Sequence, residues 1–123
     1  MTEPLINIRG KKENVRVTKM ILEEVRDKLR VAGIVHTEKQ FCEMWLGKSE
    51  CYMRFLRFSD AMPSADALAT CASRLAETAR QLRDYGKQRH NAWADELEQL
   101  RVECYVAMDK QAQAKLQRKG VCM

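Results

Sequence analysis

The chain has 123 residues, an apolar fraction of 46% and a net charge of +5, from 22 Lys and Arg against 17 Asp and Glu. A length and an apolar fraction of this order predict one folded domain and argue against wholesale disorder. The mildly basic balance is compatible with a polyanionic partner without requiring one, and no apolar run approaches the ~18 residues of a membrane span.

The five cysteines indicate a reducing environment. Their number is odd and no pair has C-x-x-C spacing, which argues against a disulfide framework and against a zinc site. Four of them fall in helical apolar patterns and are expected to be buried, reduced thiols: Cys42, Cys51, Cys71 and Cys104. The N-terminus lacks the apolar core of a signal peptide, so a cytoplasmic protein is predicted.

Helix-forming residues dominate the sequence, with only two prolines and five glycines, and period-two alternation is absent. These features predict an all-α fold. Residues 1–13 show no periodicity and are interpreted as a flexible basic arm. A helix-turn-helix core domain of about four helices is expected over residues 14–85, and its first helix, at about 14–32, should end at Gly33.

Two short helices follow. Thr37 begins the capping box T-E-K-Q and should start a second helix at about 38–46, which Gly47 ends. Ser49 is expected to cap a third helix at about 50–58. The residues predicted to face inward are Phe41, Met44 and Trp45 on the second helix, and Tyr52, Phe55 and Leu56 on the third.

The C-terminal half predicts two longer helices. Pro63-Ser64 should open the fourth helix, whose apolar residues recur at intervals of three and four and which should end near Gly86. Asn91 is expected to cap a long fifth helix over 91–118 that packs against the fourth as an antiparallel hairpin. Tyr105, Val106 and Met108 on its overhanging end are predicted to form a dimer or partner surface.

The two short helices point to DNA recognition. A short helix, a glycine-containing turn and a second short helix can place the second helix in a major groove. Lysine and backbone N–H groups at a helix start favour phosphate, and arginine suits a guanine edge. The predicted outward-facing DNA contacts are Lys48, Ser49, Glu50, Met53, Arg54 and Arg57.

The segment FCEMWLGKSECYMRFLRFSDAMPSADALATCASRL, at residues 41–75, resembles the Cro/repressor-type (Xre-like) helix-turn-helix of small bacterial and phage-borne proteins. The resemblance extends over about residues 37–75. It implies sequence-specific binding to double-stranded DNA, commonly as a homodimer, in transcriptional regulation. The arm residues Arg9, Lys11 and Lys12 would then contact the DNA backbone.

A different class of function stays open. The chain could be a helical protein–protein interaction module, an adaptor or an anti-repressor, whose long fifth helix is the working surface and which does not bind DNA. No catalytic motif indicates an enzyme, because neither His36 nor His90 has an acidic partner at a spacing typical of catalytic pairs. No cofactor and no metal site is predicted.

Overall fold

The computed structural model of the chain describes residues 21–59 and 61–119. It contains five helices within these ranges and no strand, which confirms the all-α prediction. The helices are α1 at 21–31, α2 at Glu38–Trp45, α3 at Tyr52–Phe58, α4 at Ala65–Tyr85 and α5 at Gln88–Lys119. The predicted basic arm and the predicted start of the first helix lie outside the described residues.

The link from α1 to α2 follows its local sequence signals. Gly33 has φ +78°, a left-handed conformation that glycine adopts without strain, and the helix ends there as predicted. Thr37 Oγ1 accepts a hydrogen bond from the Gln40 backbone N–H at 3.0 Å. In a capping box the Gln40 side chain would accept from the backbone N–H of Thr37. Here its Oε1 accepts from the backbone N–H of His36, one residue earlier.

The turn between α2 and α3 is longer than predicted. Gly47 has φ +66°, and the next N–H, that of Lys48, bonds back to the Cys42 carbonyl at 2.9 Å. Ser49 does not cap α3 with its side chain. It contributes its carbonyl to the Tyr52 N–H at 3.1 Å, and Cys51 occupies the N-cap without a side-chain hydrogen bond. The helix therefore begins at Tyr52, two residues later than expected.

The predicted antiparallel hairpin of α4 and α5 is present. Ser64 caps α4 by accepting from the Ala67 N–H at 3.0 Å, and Gly86 ends it at φ +73°. Only Gly86 and Lys87 separate the two helices. Asn91 is not the cap of α5, because its own N–H already donates to the Lys87 carbonyl within the first helical turn.

A single apolar cluster joins all five helices. In the hairpin, small residues of α4 face leucines of α5, so the two backbones can approach closely. Trp93 is half-buried, whereas the next residue, Ala94, is buried in the seam. The hairpin core consists of Ala67, Leu68, Cys71, Ala72, Leu75 and Ala79 on α4, and Ala94, Leu97, Leu100, Cys104 and Ala107 on α5.

Candidate nucleic-acid interface

The orientation of α3 is set by Met53 and Leu56, whose exposed fractions are 1% and 5%. The prediction that Met53 faces outward is therefore wrong, as is the prediction that Phe55 faces inward, since Phe55 is 55% exposed. Tyr52 and Leu56 define an apolar stripe that either Met53 or Phe55 can widen. Both are apolar, so periodicity alone could not choose between them.

Hydrogen bonds fix the start of α3 against α4. The Tyr52 hydroxyl accepts from the Ser64 backbone N–H at 2.9 Å and lies 3.4 Å from Ser64 Oγ. Lys48 Nζ lies 5.6 Å from the centroid of the Tyr52 ring and 3.3 Å from Asp66 Oδ2. The Lys48 ammonium group, predicted to contact phosphate, is thus held by an ion pair to the first turn of α4.

Arg57 lies on the flank of α3 that faces the neighbouring helices. Its guanidinium donates two hydrogen bonds to Glu38, at 3.0 and 3.2 Å, and a longer one to Glu23 at 3.4 Å. Arg26 on α1 also donates to Glu38. Hydrogen bonds from Arg57 and then from Arg26 lower the pKa of Glu38, although burial opposes them. Arg57 therefore links α3 to α2 and α1.

The solvent side of α3 carries Cys51, Arg54, Phe55 and Phe58, which share one helical face at intervals of three, four and seven residues and are all exposed. We call this set the outer face of α3. Arg54 contacts the Cys51 sulfur at 3.7 Å, and none of the described carboxylates forms an ion pair with it. Its guanidinium is thus available to a partner.

Phe55 was predicted to face inward, and Phe58 was not among the predicted contacts of this face. Phe58 is 84% exposed, and Met44 on α2, expected to face inward, is 55% exposed. Cys51 is exposed as well, contrary to the expectation that the thiols in helical patterns are buried. Cys51 lies in the turn before α3, outside the regular helix, and this position accounts for its exposure. Glu50 is exposed beside it, with Lys39 Nζ at 3.9 Å.

Two of the three residues that were predicted to form a partner surface on α5 are exposed. Tyr105 and Val106 are 48% and 47% exposed, as a partner surface requires. Met108 is half-buried and packs on the apolar core, so its assignment to the outer surface is wrong. It lies close to Cys104 and Ala107 along the inner side of the helix. The arm residues Arg9, Lys11 and Lys12 lie outside the described residues.

Cys71 and Cys104 are buried and adjacent across the hairpin, and hydrogen bonding between them together with burial raises the pKa of Cys71. Across the described ranges, no three side chains of His, Cys, Asp or Glu are grouped as a metal would require. No described helix is both long and apolar enough to cross a membrane.

No curated protein and no solved structure matches the chain. A family model, described as a family of unknown function, matches residues 22–117, which span α1 to near the end of α5. Because this range is most of the chain, the protein belongs to that family, DUF6626.

Proposed function

We propose that the protein is a sequence-specific double-stranded DNA-binding transcriptional regulator that presents α3 to the major groove. The observation that carries the proposal is the guanidinium of Arg54, which forms no ion pair with any described carboxylate. It lies on the outer face of a short helix whose inner face is anchored by Met53 and Leu56. An α-helix with its side chains is about 10–12 Å in diameter, which suits a major groove about 12 Å wide.

The outer face of α3 offers two kinds of base contact. Arg54 has the fork geometry to donate to the O6 and N7 atoms of guanine, the commonest specific contact in protein–DNA complexes. Phe55 follows directly and can contact a thymine methyl group. Glu50 can accept from a cytosine amino group once its long ion pair with Lys39 opens.

Phosphate contacts would come from the flanks of α3. Lys39 is 63% exposed, and its ion pair is too long to hold it strongly. Lys48 and Ser49 lie in the turn before α3, and Lys48 would contact phosphate once its ion pair with Asp66 opens. The arm residues Arg9, Lys11 and Lys12 would extend the contacts along the DNA backbone. Arg57 has a different role in this proposal, because Glu38 and Glu23 hold it: it positions α3 instead of reading bases.

The proposal includes a cytoplasmic location for the protein.

The test is selection of duplexes from a random pool by the full chain, followed by titration of the enriched duplex and of a scrambled one at physiological salt. We expect Arg54→Ala to weaken binding to the enriched duplex by about 10- to 100-fold, since one bidentate base contact contributes roughly 1–3 kcal/mol.

Arg80→Ala is the matched control. Arg80 lies on α4, about 24 Å along the helix from its N-cap Ser64, and its ion pair with Glu77 stays within one helix. Arg80→Ala removes the same charge as Arg54→Ala, so it should reduce the affinity for DNA only by weakening the general electrostatic attraction. Equal losses for both variants, or a selection that enriches no sequence, would refute the proposal.

A second candidate is a protein–protein interaction module, an adaptor or an anti-repressor. The observation that favours it is the exposure of Phe55 and Phe58, at 55% and 84%, because adjacent exposed aromatic residues are typical of protein interfaces. This candidate predicts that no duplex is enriched and that Phe58→Ala abolishes binding to a protein partner while the helical content is unchanged.

A further inference from the structure

The fifth helix has a second apolar stripe on the side that faces solvent. Its inner side is buried against α4 and α1. Opposite to it, Val102, Tyr105 and Val106 are 45%, 48% and 47% exposed, and Leu116 continues the stripe at 47%. These positions repeat at three, four, ten and fourteen residues, which keeps them on one face of an α-helix. We call them the outer stripe of α5.

The end of α5 also extends beyond the other described helices. Gln111 Nε2 donates to the Pro63 carbonyl at 2.7 Å, and residues 112–117 after it are exposed. The helix continues to Lys119, so about 12 Å of it projects past the start of α4. Short helical segments without tertiary packing have little stability in water, so this projection would gain from a partner.

Charges along α5 are separated by sign. The stretch 88–109 carries five carboxylates and two cations, Arg89 and Arg101, whereas the stretch 110–119 carries four cations and no carboxylate. The carboxylates are Asp95, Glu96, Glu98, Glu103 and Asp109, and the cations are Lys110, Lys115, Arg118 and Lys119. Such a helix is electrostatically complementary to a copy of itself that runs in the opposite direction.

We propose that two copies of the chain pair through the outer stripes of their α5 helices in antiparallel orientation. A two-fold axis near Tyr105 and Val106 brings the apolar residues together and lays the acidic stretch of each helix along the basic end of the other. A parallel pair would set like charges side by side. Several of the carboxylates already have partners, such as Arg83 for Asp95, but these pairs are exposed and contribute little by themselves.

The pairing goes beyond the proposed DNA binding and can be measured without DNA. The first experiment is sedimentation of the full chain over a concentration series, with Val106→Glu as the test variant and Met44→Glu as its matched control. Met44 is 55% exposed on α2, a helix that packs on α3 and α4. We expect a dimer for the wild type and the Met44 variant, and a dissociation constant at least tenfold higher for Val106→Glu.

Charge reversal tests the complementarity. Lys110→Glu with Lys115→Glu should weaken the dimer, and adding Asp95→Lys with Glu98→Lys should restore it. The weakening should be smaller in about 1 M salt, where charges further than ~3 Å apart are screened. Circular dichroism of each variant verifies that the fold is retained, because all four positions are at least partly accessible on α5.

Cross-linking tests the orientation in a background where Cys51 and Cys122 are replaced by serine. An antiparallel pair lets Val106→Cys form an intermolecular disulfide under mild oxidation, while Gln113→Cys lies roughly 20 Å from its counterpart and does not. A wild-type chain that stays monomeric at all concentrations, a Val106→Glu variant that dimerises like the wild type, or cross-linking at both positions would overturn the proposal.

Discussion

Arg57 and Glu38 form a two-fold hydrogen-bonded ion pair that joins α3 to α2, with Nη2–Oε2 and Nη1–Oε1 distances of 3.0 and 3.2 Å. Arg26 of α1 binds the same carboxylate. Glu38 is thus shared by cations from two helices and itself begins a third. Together with the buried Met53 and Leu56, this arrangement holds α3 on the fold, and with it the direction in which Arg54 points.

The first prediction concerns the free energy of unfolding. Arg57→Ala should destabilise the protein by about 1 kcal/mol, because the pair is partly exposed and its bidentate geometry places it at the upper end for such pairs. A double-mutant cycle with Glu38→Gln, followed by urea denaturation, measures the coupling. Arg54→Ala is the control and should change stability by less than about 0.5 kcal/mol. Equal effects of Arg57→Ala in the wild type and in Glu38→Gln would show that the two residues are not coupled.

The second prediction is a loss of stability in acid. Hydrogen bonds from Arg57 and Arg26 lower the pKa of Glu38 below its unfolded value. The folded state therefore binds this proton less readily, so the stabilisation is present above the unfolded pKa and is lost as the pH falls through the folded one. Urea midpoints across the acidic range should decline less steeply for Glu38→Gln than for the wild type. Parallel curves would mean that Glu38 has no part in the acid transition.

Helix ends and faces could be predicted from the sequence only where a single residue type decides them. Gly33, Gly47 and Gly86 all adopt positive φ at turns, and Thr37 and Ser64 cap helices, as their positions suggested. The predicted start of α3 is two residues too early, because Ser49, two residues after Gly47, has the sequence signal of a side-chain cap. The turn used the Ser49 carbonyl in place of its side chain, which depends on how the turn packs and not on the residue alone.

The candidate interface was less predictable, for a related reason. Arg54 is exposed, as predicted. Arg57, three residues further along the chain, is held by Glu38 and Glu23, so its role depends on where these two residues lie in the fold. Those residues are 19 and 34 positions away, so no local pattern reports the contact. Met53 and Phe55 are both apolar flanks of one stripe, and only the shape of the space beneath α3 determines which of them is buried.

The third prediction tests the attachment of α3 to α4. Tyr52→Phe removes the hydroxyl that accepts from the Ser64 N–H at 2.9 Å, leaving a partly buried donor without that acceptor. We expect a loss of about 1 kcal/mol, measured by thermal or urea unfolding. Tyr85→Phe, at a ring that is 69% exposed, is the matched control and should be nearly neutral. A neutral Tyr52→Phe would mean that water replaces the hydroxyl at no cost.

The fourth prediction concerns the tight turn of the hairpin. A Cβ at Gly86 would meet no atom within 4 Å, so any effect of a substitution comes from its φ of +73°. Gly86→Ala should cost about 1–2 kcal/mol, and Gly86→Asn should cost less, because asparagine tolerates the left-handed conformation better. Comparison of the two thermal midpoints provides the measurement. An alanine variant as stable as the asparagine variant would show that the turn relaxes to another conformation.

The fifth prediction is a stabilising substitution. Burial raises the pKa of Glu24, and the carboxylates of Glu103 and Glu96 raise it further, while Lys28 opposes them. A carboxylate whose folded pKa is above its unfolded value favours folding less once it is ionised, and this penalty is full above the folded pKa and absent below the unfolded one. Glu24→Gln should therefore raise the thermal midpoint at neutral pH.

The gain from Glu24→Gln should disappear as the pH is lowered, because the wild-type carboxyl group is then neutral as well. Glu43→Gln, on the exposed side of α2, removes the same charge and serves as the control for the change in net charge. If both variants raise the midpoint equally, the benefit comes from overall charge. If only Glu24→Gln does, and only above the acidic range, the carboxylates between α1 and α5 repel one another in the folded protein. That repulsion would then be a local cost of packing α1 against the acidic stretch of α5.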